Sequence, residues 1–173
     1  MVFEPALDAR PDEAEPLEES PEAFVARWRG YAADAELFAR PEGVPLVECR
    51  VGDAVIQVFE RTGPYLSRPG RARLIVNPTA DAVSVADPAR RPGVESLGLS
   101  RLAATGRVVR RDGPVIVVDA GGVPLVVGLT AAPPPEVREG ALVTFESQAP
   151  VHGFVVDAEG LLAPRRETVD DTI

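Results

Sequence analysis

At 173 residues, 45% of them hydrophobic, the chain is long enough for one compact domain or two small ones with a real core. All 18 basic residues are arginine, and without lysine neither a Walker A loop nor a Schiff-base amine can be built. No apolar run reaches the roughly 18 residues of a membrane-spanning helix, and the acidic start MVFEPALDARPDEAEPLEE lacks the basic and apolar regions of a signal peptide, so a soluble, cytoplasmic protein with no membrane partner is expected.

Residues 1–20 are acidic and poor in large apolar groups, a composition that cannot offset its ordering entropy, and a disordered acidic arm is expected there. Ser20 can cap a helix and Pro21 suits its first position. Phe24, Trp28, Tyr31 or Ala32, Ala35 and Phe38 or Ala39 recur at helical spacing, which predicts one amphipathic helix over 21–39. Gly30 weakens that helix by about 1 kcal/mol relative to Ala, so packing must hold it.

Beyond residue 40 the β signal dominates. VPLVECRV puts Val47, Cys49 and Val51 on one face, GD turns the chain and AVIQVFE returns, a hairpin pattern. RARLIVN offers Ala72, Leu74 and Val76 to a core with Arg71 and Arg73 outward, and DAVSVAD is a shorter strand. VESLGLSRLAA reads as a loop or one weak helical turn. Five strands follow, at about 105–111, 115–120, 123–129, 141–147 and 151–157. VIVV and PLVVGL are apolar on both faces, so they need closure into a barrel or cover by the earlier hairpin or helix. The expected layout is therefore a disordered arm 1–20, a helix and β-hairpin region 21–99, a small β-barrel 100–160 and a flexible tail 161–173.

Five short strands in this order resemble an OB-fold or an SH3-like barrel over residues 100–158, an architectural likeness with no family motif behind it. The likeness implies a mainly β binding module. One departure is that TAAPPPEVREG, where the OB-fold usually carries a helix, holds three consecutive prolines that favour an extended connector.

The formal charge of −9 argues against nucleic acid as a partner, but its distribution reverses that impression. Residues 1–60 hold 14 acidic and 5 basic groups, residues 61–111 hold 3 and 10, and residues 112–173 hold 10 and 3. A basic centre between acidic ends points toward an anionic partner. Arg68, Arg71, Arg73, Arg107, Arg110 and Arg111 are the residues expected to neutralise phosphate, and Tyr65, in a Gly/Pro loop beside Arg68, is the ring expected to stack on a base. Phe59, Phe145 and Phe154 are rings better suited to a core.

Catalytic constellations are sparse. One cysteine, Cys49, and one histidine, His152, leave a zinc site without its usual ligands, and no Gly-x-Ser-x-Gly elbow exists. DAGG at 119–122 is a hairpin turn, since a strand and no helix follows it. The sequence thus predicts a non-catalytic module with no cofactor and no metal, binding single-stranded DNA or RNA through its arginines. The alternative is a protein-interaction or assembly module with Trp28 and Phe24 as anchors. Oligomeric state is left open.

Overall fold

The predicted helix stops after two turns. In the computed structural model, which describes residues 20–62 and 68–156, the Ser20 hydroxyl accepts from the Ala23 N–H at 3.1 Å and helix α1 spans Pro21–Trp28 before a short turn of 3-10 helix, Arg29–Tyr31. The expectations for residues 1–19, Tyr65 and 161–173 lie outside the described residues. Ala33–Leu37 is not helix, as expected from the 3.6-residue pattern, but strand β1. ADAEL satisfies a period of 2 better. As a strand it buries Ala33, Ala35 and Leu37 and exposes Asp34 and Glu36, and both of its edges find partners.

The rest is β structure: β2 Leu46–Val51, β3 Ala54–Glu60, β4 Gly70–Asn77, β5 Thr79–Ala80, β6 Val83–Val85, β7 Gly93–Gly98, β8 Arg101–Asp112, β9 Val115–Ala120, β10 Val123–Leu129, β11 Leu142–Glu146 and β12 His152–Val155. The mainly β expectation holds. VESLGLSRLAA is neither loop nor helical turn. It forms β7 and the start of β8, joined at Gly98, Leu99 and Ser100, all with positive φ (81°, 48° and 57°). No described helix is long and apolar enough to cross a membrane.

β1, β2, β3, β12 and β4 close into a barrel in that order, with β4 returning to β1. β12 lies parallel to β3 and antiparallel to β4. The interior is filled by Ala33, Ala35, Leu37, Val47, Cys49, Val51, Ile56, Val58, Leu74 and Val76, all buried. Small residues on β1 and Gly153 on β12 let the walls approach; a Cβ on Gly153 would stand 2.8 Å from Val58 Cγ2. The closed barrel is therefore not at 100–160, where it was expected. That stretch contributes one strand to it. The five expected strands all form, but four of them belong to a second sheet, because pairing between distant segments, which periodicity does not report, decides which edges meet.

That second sheet runs β5, β10, β9, β8, β11, β6, with β7 also on β8. β5 is parallel to β10 and β6 antiparallel to β11, and only Asp81 and Ala82 separate β5 from β6, so the sheet curls nearly closed. Asp81 fastens the seam: its Oδ1 accepts from Thr130 Oγ1 and from Gln148 Nε2, each at 2.6 Å. Both units thus share one plan. Three strands meander, the fourth pairs back to the first, and the slot between third and fourth is filled by a segment that is parallel to the third and antiparallel to the fourth. In each case that segment comes from the other half of the chain.

The outward side chains of β9 and β10 find the cover that the sequence demanded. Val117 and Val126 pack with Trp28 of α1 and with Ile75 and Phe154 from the outside of the barrel, and Phe24 stacks on Phe154 at 4.5 Å between ring centroids. Asn77 Nδ2 donates to the Val126 carbonyl at 2.7 Å across the same junction.

Candidate functional site

The outer wall of the barrel is readable row by row from its registers. Arg73 faces Asp34; Arg71 faces Glu36, which faces Arg50, which faces Val55; Leu46 faces Phe59, which faces His152. Arg71 and Arg73 do share one face of β4, and each stands opposite a carboxylate of β1. Such directly opposed pairs bring Cβ atoms to about 5 Å, so these arginines have counter-charges built into the wall.

The remaining expected residues are dispersed. Arg110 lies over the Trp28 ring, 5.2 Å from its centroid, and 3.3 Å from Asp112; its hydrogen bond with Tyr31 holds it above the usual arginine range. Arg107 Nη1 donates to the Gly140 carbonyl at 3.0 Å and Arg111 Nη1 to the Val137 carbonyl at 3.1 Å, both tying the 130–141 connection to β8. A bulge between Val108 and Arg110 interrupts the alternation there. Arg68 is exposed at one mouth of the barrel, and among the described residues it takes part in no ion pair.

That mouth is a cavity of about 350 Å³, framed by the β1–β2 connection (Phe38, Arg40, Gly43) and the end of the β3–β4 connection (Arg68, Pro69). Behind it the fully buried Glu60 side chain pairs with Arg40, whose own side chain is 11% exposed, while Thr62 Oγ1 donates to Glu60 Oε2 at 2.9 Å. Neither charge is left uncompensated, which a buried ion requires. Two ring-and-cation pairs flank the wall: Arg50 lies 5.7 Å from the Phe38 centroid and Arg61 5.9 Å from that of Phe154. His152 is tilted against Phe59 at 5.9 Å, with Nδ1 3.5 Å from Arg61 Nη1. Burial, and then the Arg61 charge, lower its pKa.

Cys49 lies inside the barrel, and burial, then Glu48, push its thiol up to about 12, so the thiolate a nucleophile needs is not formed near neutrality. Among the described residues no three of His, Cys, Asp and Glu gather in a way that could hold a metal ion. Asp119 serves its expected turn, accepting from the Gly122 N–H at 2.8 Å. Trp28, a candidate anchor for a partner, is 1% exposed and fully used inside the molecule.

Phe38, Arg40 and Arg50 were not among the expected site residues, Arg61 was expected only as part of the basic centre, and Phe59, expected in the core, stands half-buried on the outer wall opposite Leu46 and His152. Reading 21–39 as one helix hid Phe38 and Arg40; the alternation of ADAEL followed by FAR was the available signal. No protein-family model, curated protein or solved structure matches the chain.

Proposed function

We propose that this chain is a non-catalytic binding module with an OB-like closed barrel, and that its ligand is single-stranded nucleic acid. The observation that carries this reading is the strand order. A five-stranded Greek-key barrel of this kind takes oligonucleotides on the face of its second and third strands and on the connection between its first and second. Here those are β2, β3 and residues 38–45, the surface with Phe38, Arg50, Phe59, Arg61 and Arg68. Rings offer sequence-tolerant stacking and guanidinium groups pair with phosphate. Arg71 and Arg73 add charge at the rim but are partly offset by Glu36 and Asp34.

Fluorescence anisotropy of labelled oligothymidylate and oligouridylate with the full chain, across a salt series, tests this. Binding that weakens steeply with salt and falls in Phe59→Ala is expected. Absence of binding at low salt would sink it.

One observation favours a protein partner instead. Leu99 is 83% exposed on a left-handed turn that Ser100 locks, donating to Gln57 through both its N–H (3.1 Å) and its hydroxyl (3.0 Å). A strained, rigid turn presenting an apolar side chain is a suitable anchor. Loss of a partner from Leu99→Asp in pull-down experiments, with oligonucleotide binding absent, is the result that would favour this second reading.

A further inference from the structure

The shared plan of the two units allows residue positions to be matched. Glu60 ends β3 and Leu129 ends β10, each the last residue of its unit's third strand and each turned inward. Arg40 follows the first strand of the barrel, and Arg111 stands at the end of β8, the first strand of the second unit. Each arginine borders a cavity framed by the connection between first and second strands and the segment after the third. The second cavity measures about 300 Å³ and includes Arg111, Gly113, Leu129 and Thr130 in its wall.

The chemistry at the two mouths differs by one group. In the barrel the guanidinium of Arg40 meets the Glu60 carboxylate. In the second unit the matching position is Leu129, and among the described residues no ion pair includes Arg111. Among the described residues Asp112 pairs with Arg110 and Arg27, Asp81 accepts from Thr130 and Gln148, and Glu136, beside Val137 in the connection that Arg111 holds, forms no ion pair with it. Arg111 is itself held in place by its 3.1 Å bond to the Val137 carbonyl, which uses one of the guanidinium's five N–H donors.

We propose that the Arg111 cavity is an oxyanion site in which a phosphate group plays toward Arg111 the part that the Glu60 carboxylate plays toward Arg40 in the barrel. A planar, oriented guanidinium over an apolar floor favours a bidentate oxyanion. Identifying the source of that phosphate as a nucleic-acid strand rests on the function proposed above.

The test uses the full chain, Arg111→Gln and Leu129→Glu, with circular dichroism and thermal midpoints confirming the fold. Arg111 is exposed, so its replacement leaves the core intact. Leu129→Glu supplies an internal carboxylate while keeping Arg111. Inorganic phosphate is titrated by NMR, following the Arg111 Nε–H and the Gly113 and Thr130 amides; a short oligothymidylate is titrated by anisotropy. Expected are phosphate-dependent shifts that both variants lose, an oligonucleotide affinity reduced about tenfold, and a salt slope lower by about one in Arg111→Gln. Shifts with phosphate but no oligonucleotide binding uphold the site and overturn its assignment to nucleic acid. Oligonucleotide binding that neither variant alters overturns the site and leaves the proposed function standing. No response to either probe overturns both.

Discussion

In the closed barrel, β1 and β2 alternate small apolar residues with charges, so one face is core and the other a lattice of Arg71, Glu36 and Arg50. In the second unit, β9 and β10 read VIVVDA and VPLVVGL, with Ile116, Val118, Leu125 and Val127 on one buried face and Val117 and Val126 on the other. The same strand order is thus built once as a solvated wall and once as a doubly covered one. Covering the second unit takes α1, Ile75 and Phe154, so the barrel and its neighbour share their apolar surface. What distinguishes them is that the barrel keeps the outer face of β1 and β2 exposed.

The most drastic way to break the comparison is to cut the chain once, at a protease site placed in the exposed connection between Asp87 and Pro92. The two pieces should stay together as one species in size-exclusion chromatography, because β12 fills the first unit and residues 79–85 fill the second. Separation without denaturant would show that the reciprocal filling contributes little.

Next in size is the difference between the mouths. Glu60→Ala removes the buried carboxylate that pairs with Arg40 and should lower unfolding free energy by about 3–5 kcal/mol in urea titration. Leu129→Ala, at a half-buried position outside any ion pair, should cost clearly less. Equal losses would mean the buried pair has no special weight.

Glycines give a finer contrast. A Cβ on Gly106 would lie 2.3 Å from the Asp119 carbonyl oxygen, a backbone atom that cannot swing aside, whereas one on Gly153 meets the Val58 side chain at 2.8 Å. Gly106→Ala should therefore destabilise more than Gly153→Ala, whose overpacking cost is about 1–3 kcal/mol. The reverse order in denaturant midpoints would contradict the close crossing of β8 and β9.

The smallest expected effects are in pH. His152, on the barrel, has a folded pKa below its ordinary 6.5, so its contribution is present above that value and lost as pH falls through the lower folded pKa. Asp81, on the second unit, is lowered first by Thr130 and then by Gln148, so its contribution persists well below pH 6.5 and is lost only as pH falls beneath the ordinary carboxylate range. Amide protection factors, corrected for the intrinsic pH dependence of exchange, should fall near Phe59 in mildly acidic buffer while those near Thr130 do not; a simultaneous fall would erase the distinction.

Much of this architecture was legible in the sequence, and the exceptions have physical causes. The alternation in LVECRV, the GD turn and the apolar β9 and β10 follow from side-chain period alone, and Cys49 was placed correctly on the core face. The length of helix α1 differs from expectation because alanine and aromatic residues at 31–39 satisfy a helical period by coincidence, while strand partners 12 to 16 residues away on β2 and 33 to 41 residues away on β4 decide the outcome. The barrel's position escaped because its last strand is supplied from residue 152 onward. Arginines were legible as a charge segment but not as a surface: Arg110 is drawn onto Trp28 and Arg107 and Arg111 onto carbonyls, contacts set by tertiary approach.

The reciprocal filling of the two units also governs how the chain can be made. β4 ends at Asn77, and the strand that completes its barrel begins at His152, about 75 residues later, which at about 5–20 residues per second of synthesis is several seconds. During that interval the edges of β3 and β4 emerge from the ribosome without their final neighbour, an exposure that invites association with other nascent chains. Production of soluble protein should therefore depend on translation speed across residues 78–151, and the first half of the molecule reaches its finished form only when the second is nearly complete.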